Sequence, residues 1–455
     1  MGKYFGTDGF RGEAGRALTA DHAFAVGRFI GYYFGGRKGN HARILIGKDT
    51  RLSSYMLEYA LAAGCVSSGA DAYIMHVTTT PSIAFIARTD NFDCGVMISA
   101  SHNPFYDNGI KLIGAGGMKM GEDITDKIEE YIDKRLSGSS DELPRVSGDR
   151  IGRVVDYVSG RNRYTGYLIS LASNSYKSLK IGLDCANGSA WMIAKAVFDA
   201  LGAKTYAIGN EPDGTNINRS CGSTHIEALK ALVVSNGLDV GFAFDGDADR
   251  CIAVDSCGNE VDGDKILFVL ARSLSKSGGL DGNKIVTTVM SNLGLYRALD
   301  KIGIGYEITS VGDRFVYECM SENGYKLGGE QSGHIIIQKY ASTGDGILTA
   351  ILLCEEMIER NKTLAELCSD VVLFPQITKS IRVNNKEAVI NDGDIAAAVR
   401  EISDELGAEG RVLFRKSGTE DVVRITVECG SGKTCLALIE RLEKCILRRG
   451  YVVGK

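Results

Sequence analysis

Hydrophobic positions along the chain change period from two to about 3.6 at three places, and each change predicts a strand followed by a helix. In the first, Arg43-Ile-Leu-Ile-Gly47 enters polar Lys48-Asp-Thr-Arg51. Leu57, Ala60, Leu61 and Gly64 then recur at helical spacing, and Gly69-Ala70 precedes another apolar run around Ile74. In the second, Lys180-Ile-Gly-Leu-Asp-Cys185 meets Ala186-Asn-Gly188, then Ile193, Val197, Phe198 and Leu201, then Gly202-Ala203. In the third, Lys284-Ile-Val-Thr-Thr-Val289 runs into a Ser291-Asn292 cap, then Leu295, Tyr296, Leu299 and Ile302, then Gly303. Three strand–helix–strand units imply an α/β protein with three doubly wound α/β domains of similar topology, whose ligands sit beyond the carboxyl ends of the strands. After Pro375 the pattern changes to a strand over 378–383, a helix over 395–406, strands around Val412 and Val423, and a last helix over 434–449, a smaller C-terminal α+β domain. Leu136-Ser-Gly-Ser-Ser140 and the segment 255–264 look like connections, and the expected domains are 1–150, 151–256, 257–372 and 373–455.

Composition adds limits. At ~150 residues per domain, 455 residues allow about three domains or four small ones, and 44% hydrophobic residues supply a core for each. A net charge of −5 lacks the basic footprint of nucleic-acid binding, so no nucleic-acid partner is expected. No apolar run approaches the ~20 residues of a membrane span, and Met1-Gly-Lys-Tyr-Phe-Gly6 resembles neither a signal peptide nor a myristoylation site. The 12 Cys are scattered without a Cys-x-x-Cys, as in a soluble protein of the reducing cytoplasm. Glycine, at 56 residues against 5 Pro, is in surplus and suggests loops that let backbone approach a ligand.

Four loops carry candidate chemistry. Asp245-Gly-Asp-Ala-Asp-Arg250 lies between the apolar runs 240–244 and 251–254. On an extended backbone, spacing two puts Asp245, Asp247 and Asp249 on one side, a set of oxygens suited to a hard divalent cation such as Mg²⁺. An EF-hand does not fit, because Arg250 stands where that loop needs Gly and Ser256 where it needs Glu. A polar hairpin is the plain alternative, though three like charges repel there without a cation. Ser99-Ala-Ser101-His102-Asn-Pro104 follows the strand 94–98: Ser101, with His102 adjacent and Lys111 nearby, suits a nucleophile or phosphate carrier, and Ser-His-Asn-Pro is equally a good turn. Gly328-Gly-Glu330-Gln-Ser332-Gly-His334 offers the mixed donors and acceptors that sugar hydroxyls need. Arg415-Lys-Ser417-Gly418-Thr419 with Arg424 offers guanidinium groups, hydroxyls and an open backbone to an anion. Gly430-Ser-Gly-Lys-Thr434 only imitates a P-loop, since Val427 stands where its first Gly belongs, and is read as a strand-to-helix turn.

With these four loops in this order, together with Tyr4-Phe-Gly-Thr-Asp-Gly-Phe-Arg11-Gly12 and Gly47-Lys-Asp-Thr-Arg51, the chain resembles the α-D-phosphohexomutase superfamily along essentially its whole length. Glu330-Gln-Ser-Gly-His334 and Val311-Gly-Asp-Arg314 look most like its bacterial hexosamine-acting branch. The resemblance implies four domains around a central cleft. It implies conversion of glucosamine 6-phosphate to glucosamine 1-phosphate for UDP-N-acetylglucosamine and cell-wall synthesis, through a phosphoserine and a hexosamine 1,6-bisphosphate that reorients between two transfers. In that scheme Ser101 carries the phosphate, and one Mg²⁺ per chain binds it with Asp245, Asp247 and Asp249. Arg11, Lys111 and Arg250 neutralise charge. Glu330 and Ser332 hold the sugar, and Arg415, Ser417, Gly418, Thr419 and Arg424 hold the distal phosphate. Lys111, His102 and His334 are all candidates for general acid and base. The same chemistry on glucose or mannose phosphates is the near alternative, and a non-catalytic sugar-phosphate binder the distant one. The partner is a small phosphosugar; the family's frequent dimers raise a homodimer as a second, with no interface legible in the chain. Asp421 where the family usually has Pro, Ala248 for a common Gly, and Phe10 for a smaller aliphatic residue depart from the pattern. The first is expected to weaken phosphate affinity, and none removes a ligand.

Overall fold

A computed structural model describes residues 2–6, 8–36, 41–138, 140–417 and 421–453. The apolar runs become four sheets. The first has seven strands, β1 (Phe5–Gly6), β2 (Gly9–Glu13), β3 (Arg43–Lys48), β4 (Asp71–Val77), β5 (Cys94–Ile98), β6 (Asp107–Gly114) and β7 (Val154–Asp156), in the order β1-β2-β6-β5-β3-β4-β7. The second holds β8 (Lys180–Asp184), β9 (Lys204–Ile208), β10 (Val240–Phe244), β11 (Cys251–Asp255) and β12 (Glu260–Val261), ordered β12-β11-β10-β8-β9. The third is β14-β13-β15-β16, from β13 (Lys284–Thr288), β14 (Gly305–Thr309), β15 (Leu327–Gly329) and β16 (Ile335–Ile337). In each, parallel pairs run through the sheet and one side is completed by antiparallel pairing, through β6, β2 and β1 in the first, β11 and β12 in the second, and β16 in the third.

Burial on both faces explains why these strands are almost continuously apolar. In β3, Ile44 and Ile46 point into one core with Val26, Leu57, Leu61 and Ile128, whereas Leu45 points into the other with Ile83, Ile86 and Met97. Part of the glycine surplus belongs to packing. The helices Ala20–Gly31 and Leu52–Ser67 cross so closely that a Cβ on Gly27 would lie 2.2 Å from the Leu61 carbonyl oxygen, and one on Gly64 would lie 2.3 Å from that of Phe24.

The chain forms two compact units, 1–290 with 304–369, and 291–303 with 370–455. In the second unit β17 (Gln376–Arg382), β18 (Gly410–Lys416) and β19 (Val422–Cys429) form the antiparallel sheet β17-β19-β18, packed by the helices Gly393–Leu406 and Gly432–Arg448. Ser431 caps the last helix by accepting from the Thr434 N–H, so the P-loop imitation is a strand-to-helix turn. Among the described residues, no helix is long and apolar enough to cross a membrane.

Candidate active site

β5 ends at Ile98 and the chain turns before returning as antiparallel β6, with Ile98 opposite Ile110. The turn holds Ser101 in left-handed backbone (φ 52°) and buries it. Its N–H donates to Ser99 Oγ (2.9 Å), its Oγ donates to Asp245 Oδ2 (2.5 Å), and His102 Nδ1 lies 3.4 Å from the same Oγ. Burial, then the charges of Arg250 and Arg11, push His102 down to about 4, which leaves a neutral ring beside the serine at pH 7.

The three aspartates lie on the hairpin between antiparallel β10 and β11. The extended backbone expected from their spacing is not what brings them together. A reversal between paired strands needs a turn, closed here by the Ala248 N–H to the Asp245 carbonyl (3.1 Å), with Ala248 itself left-handed (φ 58°). Three N–H donors fix its backbone: Ser189 to Gly246 O (2.8 Å), Thr80 to Asp247 O (3.0 Å) and Gly346 to Ala248 O (3.0 Å). One oxygen from each of Asp245, Asp247 and Asp249 falls within 4.8 Å of the others, and all three residues are buried. Burial, then the charges of Asp249 and Asp247, push Asp245 well above the usual carboxylate range. Asp247 Oδ1 and Asp249 Oδ1 are buried and accept no hydrogen bond among the described residues. Bare buried carboxylate oxygens are costly unless a cation takes them, so this donor set fits a hard divalent metal.

Cations alternate with these acids. Lys111 Nζ, on β6, is 2.7 Å from Asp247 Oδ2, 3.4 Å from Asp249 Oδ2 and 3.8 Å from Asp8 Oδ1. Burial would lower its pKa, but Asp247, Asp8 and Asp249 outweigh that and raise it, so Lys111 is held charged. Asp8 also pairs with Arg11 and with Lys119 (3.0 Å), and Lys119 reaches Asp313 at 2.7 Å. The Arg250 N–H donates to Asp245 Oδ1 (3.1 Å), and its guanidinium Nε is 4.0 Å from Asp249 Oδ1. His334 is buried between Asp249 (Nδ1, 3.7 Å) and Asp313 (Nε2, 3.7 Å). Burial opposes its charge, but Asp249, Asp313 and Glu330 outweigh it and raise His334 to about 9. The Gly344 N–H aimed at Nε2 (3.0 Å) pulls the other way, since it needs a lone pair there, and this contact fits the neutral tautomer with its proton on Nδ1. Glu330 is half-buried and accepts the Gly312 N–H (3.0 Å), and Ser332 is exposed.

Ser101, His102, Lys111, Arg11, Arg250, His334 and the three aspartates thus form one connected cluster, with Glu330 close enough to act on Arg250 and His334. Sequence reasoning missed Asp8, Thr80, Lys119 and Asp313. Asp8 and Asp313 lie inside the motifs Thr7-Asp8-Gly9 and Val311-Gly-Asp-Arg314, whereas nothing in their neighbours marks Thr80, whose hydroxyl donates to Asp247, or Lys119.

In the second unit, Arg415 and Arg424 stand opposite each other on β18 and β19. Burial, then the Arg424 charge, lowers Arg415, and its Nε is buried without a partner among the described residues. Ser417 is buried beside them, its N–H donating to Val422 O (2.9 Å). Like charges directly across a sheet destabilise it unless an anion lies between them. Gly418 and Thr419, expected in the same phosphate loop, lie outside the described residues.

The sequence matches phosphoglucomutase/phosphomannomutase alpha/beta/alpha domain I over residues 2–138, domain II over 161–258, domain III over 262–373, and the C-terminal domain over 379–444. The chain belongs to this family, the phosphohexomutases, which are isomerases that move a phosphate within a sugar phosphate. It is 59% identical over 454 residues, covering all of both chains, to a phosphoglucosamine mutase of Lachnospira eligens. A phosphoglucomutase/phosphomannomutase family protein of Burkholderia thailandensis shares the fold with a TM-score of 0.78 at 23% identity, covering 98% of each chain. An Aspergillus fumigatus N-acetylphosphoglucosamine mutase in complex with GlcNAc-6P and magnesium does so with a TM-score of 0.68 at 17% identity, covering 97% of this chain and 95% of its own.

Proposed function

We propose that this protein interconverts glucosamine 6-phosphate and glucosamine 1-phosphate, acting as a phosphoglucosamine mutase with Ser101 as phosphate carrier. The observation that carries the reading is Ser101 Oγ hydrogen-bonded to Asp245 inside a cluster of three aspartates, two of which, Asp247 and Asp249, keep a bare oxygen. The full-length identity to a protein of that name favours glucosamine over glucose or mannose phosphates.

In the first transfer, the bond from phosphorus to Ser101 Oγ breaks, a bond from phosphorus to the free sugar hydroxyl forms, and that hydroxyl gives up its proton. In the second, the other phosphate passes to Ser101 and the sugar oxygen takes a proton back, so the enzyme ends as it began. Asp245, Asp247 and Asp249 would hold Mg²⁺, which supplies charge neutralisation to the serine phosphate. Lys111, Arg250 and Arg11 add fixed positive charge, and phosphoryl transfer depends chiefly on such positioning and electrostatics. Lys111, held charged by the acids around it, suits electrostatic stabilisation rather than proton transfer, whereas the neutral ring of His102 beside Ser101 keeps a lone pair that could accept a proton. Glu330 and Ser332 are assigned to the sugar hydroxyls. Arg415, Ser417 and Arg424, with Gly418 and Thr419, are assigned to a sugar-linked phosphate. The reaction fits the cytoplasm, where it would feed precursors of UDP-N-acetylglucosamine.

Purified protein with Mg²⁺, glucosamine 6-phosphate and a trace of hexose bisphosphate should yield glucosamine 1-phosphate, with higher kcat/KM than for glucose or mannose phosphates. No product, or a preference for glucose phosphate, would contradict the assignment.

A further inference from the structure

Two buried side chains converge on the serine turn without belonging to the nucleophile, metal or sugar loops. Arg51, wholly buried and paired with Asp49, donates Nη2 to the Ser101 carbonyl (3.1 Å) and to the Asn103 carbonyl (2.6 Å). Asn218, on the loop between β9 and the helix Glu227–Asn236, donates Nδ2 to the same two carbonyls, at 2.8 and 3.0 Å. The peptide preceding Ser101 is held by its own N–H to Ser99 Oγ (2.9 Å), an oxygen that Arg51 Nη1 approaches at 3.5 Å. Both peptide planes flanking Ser101 are therefore fixed, and its left-handed backbone with them. A non-glycine residue in that region is strained and persists only where its surroundings over-determine it.

The clamp also joins the serine turn to the metal hairpin. Asn218 is itself left-handed (φ 57°), and its N–H donates to Ala186 O (2.9 Å) at the end of β8. Its neighbour Ile217 packs near Gly246, where an added Cβ would lie 2.4 Å from the Ser101 carbonyl oxygen. A serine that accepts and returns phosphate must regain one geometry relative to the aspartates after every transfer.

We infer that Arg51 and Asn218 are positioning residues that lock the Ser101 peptide so that its Oγ faces the aspartate cluster. The inference rests on Ser101 being the phosphate carrier. Neither residue touches Oγ, so loss of the clamp slows transfer without weakening sugar binding.

Removing Arg51 would strand Asp49 as an unpaired buried charge, so Asn218 is the better site to test. Asn218→Gly deletes the donor, adds no charge and keeps the left-handed backbone unstrained. This variant should lower kcat about 10- to 100-fold, the scale of a small misplacement of reacting groups, with KM for glucosamine 6-phosphate within about twofold. Phosphate uptake on Ser101 from hexose 1,6-bisphosphate, read by intact mass, should slow in parallel at a temperature well below the variant's own thermal midpoint, where it is fully folded. Wild-type kcat and phosphorylation in Asn218→Gly would overturn the inference, as would a loss confined to KM. Retained turnover in Ser101→Ala would instead overturn the phosphoserine reading on which it rests.

Discussion

At the scale of single residues, the departures from the family pattern have physical settings. Phe10 is buried in an aromatic cluster with Tyr4, Phe5 and His22, at centroid distances of 5.1, 5.8 and 5.2 Å, which a smaller aliphatic side chain would leave underfilled. Ala248 stands in left-handed backbone, where an L-residue costs roughly 1–2 kcal/mol. Ala248→Gly should therefore stabilise the protein by about 1 kcal/mol in denaturant unfolding, less the extra chain entropy of glycine. The Asp421 carboxylate is exposed and 3.9 Å from Lys386 Nζ, so solvent screens it, and Asp421→Asn should change KM by less than about threefold. Asp345 caps the helix Gly346–Arg360 and accepts from the Tyr164 hydroxyl, yet burial, only partly offset by these donors, pushes it up to about 6. Its folded pKa exceeds the unfolded value of about 3.9, so it destabilises above pH ~6 and not below pH ~4. Asp345→Asn should flatten the fall in thermal midpoint as pH rises through that window, relative to wild type. An unchanged slope would contradict the assignment.

At the scale of elements, the structure separates what residue pattern can specify from what only tertiary pairing decides. β10 and β11 were legible because each is a fully buried apolar run, and the helices Leu293–Lys301 and Gly432–Arg448 because their apolar positions keep helical spacing. β7 and β12 were not legible: they have three and two residues, and exist by pairing with β4 and β11. The site divided in the same way. Ser101 and the aspartates could be read because spacing and charge repulsion single them out. Lys119, Thr80 and Asn218 are ordinary residues in their own segments and acquire meaning only through partners 194, 167 and 117 positions away, namely Asp313, Asp247 and the Ser101 carbonyl. Glycine shows the same dependence on context. Gly27→Ala, which would press a Cβ into the Leu61 carbonyl, should destabilise by about 1–3 kcal/mol or more. Gly166→Ala, in the helix Val158–Leu171 with nothing within 4 Å of an added Cβ, should instead stabilise by about 0.5–1 kcal/mol. Urea midpoints that move in the same direction for both would contradict the packing argument.

At the scale of the molecule, the turn between β1 and β2 (Asp8), β2 (Arg11), β6 and the segment after it (Lys111, Lys119), the β10–β11 hairpin (Asp245, Asp247, Asp249, Arg250) and the segments after β14 (Asp313) and β15 (His334) supply one cluster of five acids and five basic groups. Pairing explains how so many charged groups coexist out of water: Asp8, Asp247 and Asp313 lie against lysines, Asp247 and Asp249 keep a bare oxygen suited to a cation, and Asp245 is pushed toward its neutral form. The most direct test of the central claim is the intact mass of the protein before and after substrate. Protein charged with hexose 1,6-bisphosphate and Mg²⁺ should carry one added phosphate on Ser101, lose it on mixing with glucosamine 6-phosphate, and regain it as glucosamine 1-phosphate appears. A mass that never shifts while glucosamine 1-phosphate accumulates would contradict the phosphoserine account.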